Sequence, residues 1–168
     1  QHFDYNMSKI FFEQMEIPSP KYNLNINSSL HGEMTGRQIE LIERHLINIK
    51  PDYVVVFGDT NSTLSGSIAS SKLNIPIVHI SGGELSLGSK DDVLRHVITK
   101  LSSLHFVSAE QHRKRVVQLG EDPETVFKVG EPGLDDLHEI ELLSRDTLEG
   151  LVGRKLDRKF FLMTFHPS

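Results

Sequence analysis

Tyr53-Val54-Val55-Val56-Phe57, followed at once by Gly58-Asp59-Thr60-Asn61-Ser62-Thr63, is the stretch that decides the fold. Five consecutive β-branched or aromatic residues suit a strand buried on both faces of a parallel sheet. The polar hexapeptide ends that strand, and the small residues from Leu64 to Leu73 predict a helix. A second strand, Ile75-Pro76-Ile77-Val78-His79-Ile80, opens into the long polar loop Ser81 to Asp92, and a further helix runs from Lys90 to about Leu101. Strand, helix, strand in that order is a βαβ unit. Its two loops fall at the carboxyl edge of the sheet, where α/β proteins hold their ligands. Asp59, Glu84, Asp91 and Asp92 lie on those loops, so the edge is the candidate site.

The pattern extends in both directions. Upstream, Met7, Ile10, Phe11 and Met15 have helical spacing, stopped by Pro18 and Pro20. Tyr22 to Ile26 alternates apolar residues with Asn and predicts a short strand. Thr35-Gly36-Arg37-Gln38 reads as a capping box, opening a helix with an apolar stripe of Ile39, Ile42, Leu46 and Ile49 that closes at Pro51. Downstream come a strand at Leu104 to Val107 and a second capping box, Ser108-Ala109-Glu110-Gln111, on a basic helix ending at Gly120. Asp122-Pro123-Glu124 starts a short helical turn, Val126 to Val129 is a strand, and Gly130 to Asp135 is a loop. A charged helical region then leads to a last strand, Phe160 to Phe165. The alternation predicts an α/β fold, a doubly wound parallel sheet of the Rossmann-like kind.

Composition excludes several classes. The 168 residues are 38% hydrophobic and 24% charged, which suits a domain with a sizeable core and not a disordered chain. No apolar run reaches membrane-spanning length, and no signal-peptide pattern opens the chain. Cysteine is absent, which removes disulfides and thiolate metal sites and fits a cytoplasmic location. A net charge of −5 argues against a nucleic-acid partner. The nine histidines have no metal spacing, and His31, His45, His112 and His138 read as surface residues. No GxGxxG, Walker or GxSxG motif is present. The chain begins Gln1-His2-Phe3 and stops just past an apolar run at His166-Pro167-Ser168, and we read it as an internal piece of a larger protein.

Each candidate residue also has a plainer reading. Asp59 sits where a general acid or base, or an anchor for a sugar hydroxyl, would stand, yet Asp59 or Asn61 could simply cap the following helix. Gly82-Gly83-Glu84 is a turn carrying an acid. Ser89-Lys90-Asp91-Asp92 fits a capping box, with Ser89 as the cap and Asp92 reaching back. Arg95 follows Asp91 by four residues and His96 follows Asp92 by four, so each pair shares a helix face, which a solvated ion-pair face would explain equally. His79 ends a core strand and reads as packed. His166 ends the last strand and shares the carboxyl edge with Asp59 and Asp91.

At these residues the sequence resembles the UDP-N-acetylglucosamine 2-epimerase family, and especially its hydrolysing branch. The pieces that carry the likeness are KPDYVVVFGDTNSTLSGSIAS, IPIVHISGGELSLGSKDDVLRHVITKLSSLHFVSAEQHRKRVVQLGE, VFKVGEPGLD and TFHP, in that order. The resemblance implies two Rossmann-like domains of the glycosyltransferase-B kind with substrate in the cleft between them. Residues 1–168 would be most of the N-terminal domain, with its first strand and the C-terminal domain outside this chain. The implied reaction removes the C2 proton of UDP-N-acetylglucosamine, expels UDP, and adds water to the resulting glycal to give N-acetylmannosamine. No cofactor or metal is called for, and a homo-oligomer is expected.

Carried over residue by residue, Asp59, Asp91 and His166 match catalytic positions of the family. Ser81 stands where many members have a catalytic Glu, and Glu84 is the nearest acid able to take part. Thr60, Ser81, Gly82, Gly83, Asp92, Arg95 and His96 are the implied substrate-binding residues, and both catalytic aspartates are expected in a solvated cleft. GDTNST leans towards the non-hydrolysing branch. A UDP-2,4-diacetamido sugar is an alternative substrate, and a glycosyltransferase or a non-catalytic nucleotide-sugar binding module of the same architecture are alternative functions.

Overall fold

The computed structural model describes residues 5–138 and 140–165. A 3-10 turn at Tyr5–Met7 leads into α1 (Lys9–Gln14), and α2 (His31–Ile49) precedes β1 (Val54–Phe57). Then follow α3 (Asn61–Lys72), β2 (Ile77–Ile80), α4 (Asp91–Leu101), β3 (Leu104–Val107) and α5 (Glu110–Gln118). After a 3-10 turn at Pro123–Thr125 come β4 (Val126–Lys128), a 3-10 stretch at Pro132–His138 and α6 (Arg145–Val152). The four strands form one parallel sheet in the order β1-β2-β3-β4. This is the Rossmann-like α/β arrangement expected from the βα alternation.

Register explains where the core sits. Val54 and Val56 pair with Ile77 and His79, and His79 pairs with His105, which pairs with Val126. These residues share one face. There Val56 and Ile77 pack with Ile98 of α4 and Leu64 of α3, while Val107 and Val126 pack with Val116 of α5. Each fully buried aliphatic side chain such as Ile77 contributes about 2 kcal/mol relative to exposure. All three crossovers run in one direction, so α3, α4 and α5 cover the same face. The opposite face presents Val55 and Phe57, 62% and 56% exposed, beside Phe106, which stacks on Phe127. The expected burial of β1 on both faces is therefore corrected. Among the described residues only one face is covered, and an apolar run reads the same whether its second cover is present or not.

Other expectations change for local reasons. Tyr22 to Ile26 is not a strand: the Asn25 backbone N–H turns back onto Asn23 Oδ1 at 2.9 Å, and Asn25 has a φ of 48°. An Asx turn and a left-handed residue both break extension. The helix expected from Thr35 begins earlier, at His31, so Thr35 lies inside it and bonds His31 O and Asn61 Oδ1. Ile49, the last residue of its expected stripe, is exposed. Among the described residues, 160–165 pair with no strand, and Phe161 and Leu162 are almost fully exposed. His166 lies outside the described residues.

Candidate active site

Two tight left-handed positions shape the carboxyl edge. Gly58, with φ 71°, turns the chain out of β1, and Ser81, with φ 64°, turns it out of β2. Buried His79 ties the two turns together. Its Nε2 donates to Gly58 O at 2.9 Å, which leaves Nδ1 to accept from Thr99 Oγ1 at 3.2 Å. Burial pushes the His79 pKa down to about 4. The Gly58 hydrogen bond partly opposes that shift, and the charges of His105 and Arg95 add to it. Gly82 and Gly83 are buried against this framework. A Cβ on Gly82 would sit 3.0 Å from His79 Nδ1, and one on Gly83 would sit 2.5 Å from His112 O. The turn is thus a packed ledge, not the flexible one its glycines suggest. Arg115 Nη1 donates to Gly83 O from α5.

Arg95 is the hub of the site. Its side chain is only 7% exposed, and it joins Asp59, 17% exposed, to Glu84, 28% exposed. Nη2 donates to Asp59 Oδ2 and to Ser86 Oγ at 3.1 Å, while Nη1 donates to Glu84 Oε2 at 2.8 Å and Ser81 O at 3.4 Å. Burial works against the guanidinium charge, and the hydrogen bonds to Asp59 and Glu84 outweigh it, so the Arg95 pKa lies above its ordinary value. A planar fork suits this task, since one guanidinium can serve two carboxylates at a fixed separation. The pairing of Arg95 with Asp91 suggested by helix spacing is corrected. Arg95 points inward, and Asp91 is exposed and makes no ion pair among the described residues.

The capping assignments also shift. Thr60, not Asp59 or Asn61, caps α3, its Oγ1 accepting the Thr63 backbone N–H at 3.3 Å. Asn61 bonds Gln38 of α2 instead. Asp59 therefore has no local structural duty, and its partner lies 36 residues away. The expected solvated setting for Asp59 is corrected: it is largely enclosed by its ion pair. Asp92 does not reach back to Ser89. Its Oδ1 accepts the Ser86 backbone N–H at 2.8 Å, because the loop folds over the start of α4, and Ser89 Oγ accepts from Asp91 N at 3.2 Å. His96 is half-buried, with Nδ1 unpartnered among the described residues.

Sequence reasoning missed two members. Ser108 is not the cap of α5; its Oγ donates to Glu84 Oε1 at 3.0 Å and bonds His112 Nδ1 at 2.8 Å. His112, read as a surface residue, is 17% exposed and lies 3.9 Å from Glu84 Oε1. The only signal in the sequence is that Ser108 ends a core strand at the same edge as Asp59 and Glu84. A cleft of about 720 Å³ near α1, lined by Lys9, Phe12, Tyr22 and Leu24, contains none of these residues.

Chemically, the arrangement sets Asp59 and Glu84 on one buried cation at a sheet edge. The N-termini of α3 and α4 stand beside them and favour anionic groups. Such a site can move protons next to a phosphate-bearing ligand. The sequence model for UDP-N-acetylglucosamine 2-epimerase matches residues 1–168. A UDP-N-acetylglucosamine 2-epimerase homolog of Methanococcus maripaludis is 38% identical over 172 residues, covering 100% of this chain and 48% of that protein. The UDP-N,N'-diacetylbacillosamine 2-epimerase (hydrolyzing) of Legionella pneumophila is 43% identical over 117 residues, covering 70% of this chain and 31% of that one. Among solved structures, the Methanocaldococcus jannaschii UDP-GlcNAc 2-epimerase in complex with UDP-GlcNAc and UDP aligns with a TM-score of 0.77 at 38% identity. That alignment covers 82% of this chain and 39% of the other. The chain spans about half the length of the Methanococcus maripaludis relative.

Proposed function

The chain belongs to the UDP-N-acetylglucosamine 2-epimerase family, and from that premise we propose that the complete protein is a hydrolysing UDP-sugar 2-epimerase. The single observation that carries the reading is the Asp59–Arg95–Glu84 constellation at the carboxyl edge. A non-catalytic binding module has no use for two carboxylates converging beside a diphosphate. Relatives named as hydrolysing, such as the Legionella pneumophila protein at 43% identity over 117 residues, support the hydrolysing branch, while relatives named without that word match this chain as well.

In the proposed reaction a carboxylate of the Asp59–Glu84 pair takes the C2 proton. The C–H electrons form a C1–C2 double bond as the C1–O bond breaks, and the leaving UDP carries that electron pair away. Water then adds its oxygen to C1 while a proton returns to C2 from the opposite face. The free 2-epimer leaves with UDP. Asp59 and Glu84 are the acid–base pair, with Asp91 and His166 completing the catalytic set. Arg95 holds the two carboxylates and supplies positive field. Thr60, Ser81, Gly82, Gly83, Asp92 and His96 form the substrate shelf, with Gly82 and Gly83 acting through their packed backbone. The substrate is UDP-N-acetylglucosamine or a UDP-2,4-diacetamido sugar, and the protein works as a homo-oligomer in the cytoplasm. Residues 1–168 form most of the N-terminal domain of a two-domain enzyme. Incubating the complete protein with these UDP-sugars tests the reading. UDP and a free 2-epimeric sugar should appear together, and an intact UDP-linked epimer without free sugar would assign the other branch.

A further inference from the structure

Glu84 is gripped from two sides. Arg95 of α4 takes Oε2, and Ser108, at the end of β3, takes Oε1. A serine hydroxyl has one proton to give. An ionised carboxylate only accepts, so that proton goes to Glu84, and the 2.8 Å contact with His112 Nδ1 must then be made by a proton on the imidazole. The chain of donors runs His112 Nδ1–H to Ser108 Oγ, then Ser108 O–H to Glu84 Oε1. His112 Nε2 is left as the acceptor, with Gln111 Nε2 at 3.4 Å. Here hydrogen-bond geometry dictates a tautomer.

The other charged groups around Glu84 do not duplicate this hold. Asp59 reaches it only through Arg95, Arg115 is committed to Gly83 O, and Asp92 is committed to the Ser86 amide. The first turn of α5 sits close under the ledge, as the 2.5 Å approach of a Gly83 Cβ to His112 O attests. That closeness fixes where Ser108 and His112 stand.

We propose that Ser108 and His112 are positioning residues for Glu84, orienting through a directed hydrogen-bond chain the carboxylate that Arg95 holds at its other oxygen. The role rests on the epimerase reading and deepens it. Substrate binding does not depend on which way Oε1 points, whereas proton transfer at C2 does. The loss should therefore fall on kcat and not on KM.

The test uses the complete protein. Ser108→Ala should lower kcat about tenfold, the scale of one lost hydrogen bond to a charged group, with KM changed less than about twofold. Ser108→Thr, which keeps the hydroxyl, should recover most of the rate, and His112→Phe should fall between the two. Nitrogen NMR of labelled protein should find His112 protonated at Nδ1 in the wild type, and at Nε2 or in a tautomer mixture in Ser108→Ala. Wild-type kcat in Ser108→Ala, a threonine variant no better than alanine, or an Nε2–H tautomer in the wild type would each overturn the proposal. A wild-type protein that turns over no UDP-sugar would instead overturn the epimerase reading and this role with it, while the tautomer still reports on the geometry.

Discussion

Replacing Arg95 with methionine removes the cation that joins Asp59 to Glu84 while keeping most of the side-chain volume. The guanidinium is 7% exposed and donates to both carboxylates, so two charge-assisted bonds are lost. Such bonds are worth about 1.5–3 kcal/mol each, and breaking a buried pair by removing one partner costs about 3–5 kcal/mol. Asp59 and Glu84, at 17% and 28% exposure, regain some water, which places the loss near the lower end, at about 3 kcal/mol. For a chain of this size the urea m-value is about 2 kcal/mol/M, so the midpoint should fall by about 1.5 M. Urea unfolding of the 168-residue chain, followed by circular dichroism, measures it. Adding Asp59→Asn to Arg95→Met should recover part of the loss, because one of the two unpaired acids is then neutral. A midpoint shift under about 0.5 M, the range of exposed ion pairs, would refute the idea that this cation is the structural hub.

Asp59→Asn should lower kcat of the complete protein by about 10²-fold or more, and because Asp59 is enclosed it should also destabilise. Asp91→Asn, at an exposed helix start, should lower kcat without a stability change beyond about 0.5 kcal/mol, as paired kinetics and melts would reveal. The His79 pKa, lowered from 6.5 to about 4, makes the neutral ring part of the fold. Its contribution is fully present above pH 6.5 and is lost as pH falls from there towards 4, a change of about 3 kcal/mol that urea midpoints at pH 7.5 and 4.5 would register and His79→Gln should flatten. Buried His105, also lowered, acts in the same direction. Gly83→Ala should destabilise through its φ of 75° and the contact with His112 O. Gly36→Ala, in helix α2 with nothing within 4 Å, should stabilise by about 0.5–1 kcal/mol in the same melts.

Periodicity made the strands and the edge readable. The runs at Val54–Phe57 and Ile77–Ile80 need only local pattern, and the loops after them carry Asp59 and Glu84 wherever the helices pack. The partners of those acids were not readable from spacing, because the contacts are long-range while the tempting alternatives are local. Asp91 offered Arg95 a partner four residues away, yet Arg95 turns inward to residues 36 and 11 positions distant. The capping signatures at Ser89 and Ser108 are equally local: Ser89 keeps a local partner in the Asp91 amide while Asp92 goes to the Ser86 amide, and Glu84, 24 residues away, takes the Ser108 hydroxyl. Likewise the apolar residues 160–165 have strand composition, but a strand also needs a neighbour to pair with, and the described residues provide none there.

The proposed reaction is a C2 deprotonation with loss of UDP, followed by addition of water. Turnover of UDP-N-acetylglucosamine, or of a UDP-2,4-diacetamido sugar, by the complete protein in deuterated ¹⁸O water, quenched promptly and read by mass spectrometry, follows both steps at once. The expected product is a free 2-epimeric sugar with deuterium at C2 and ¹⁸O at the anomeric carbon. Free sugar without deuterium at C2, or a UDP-linked epimer without ¹⁸O and no free sugar, would contradict it.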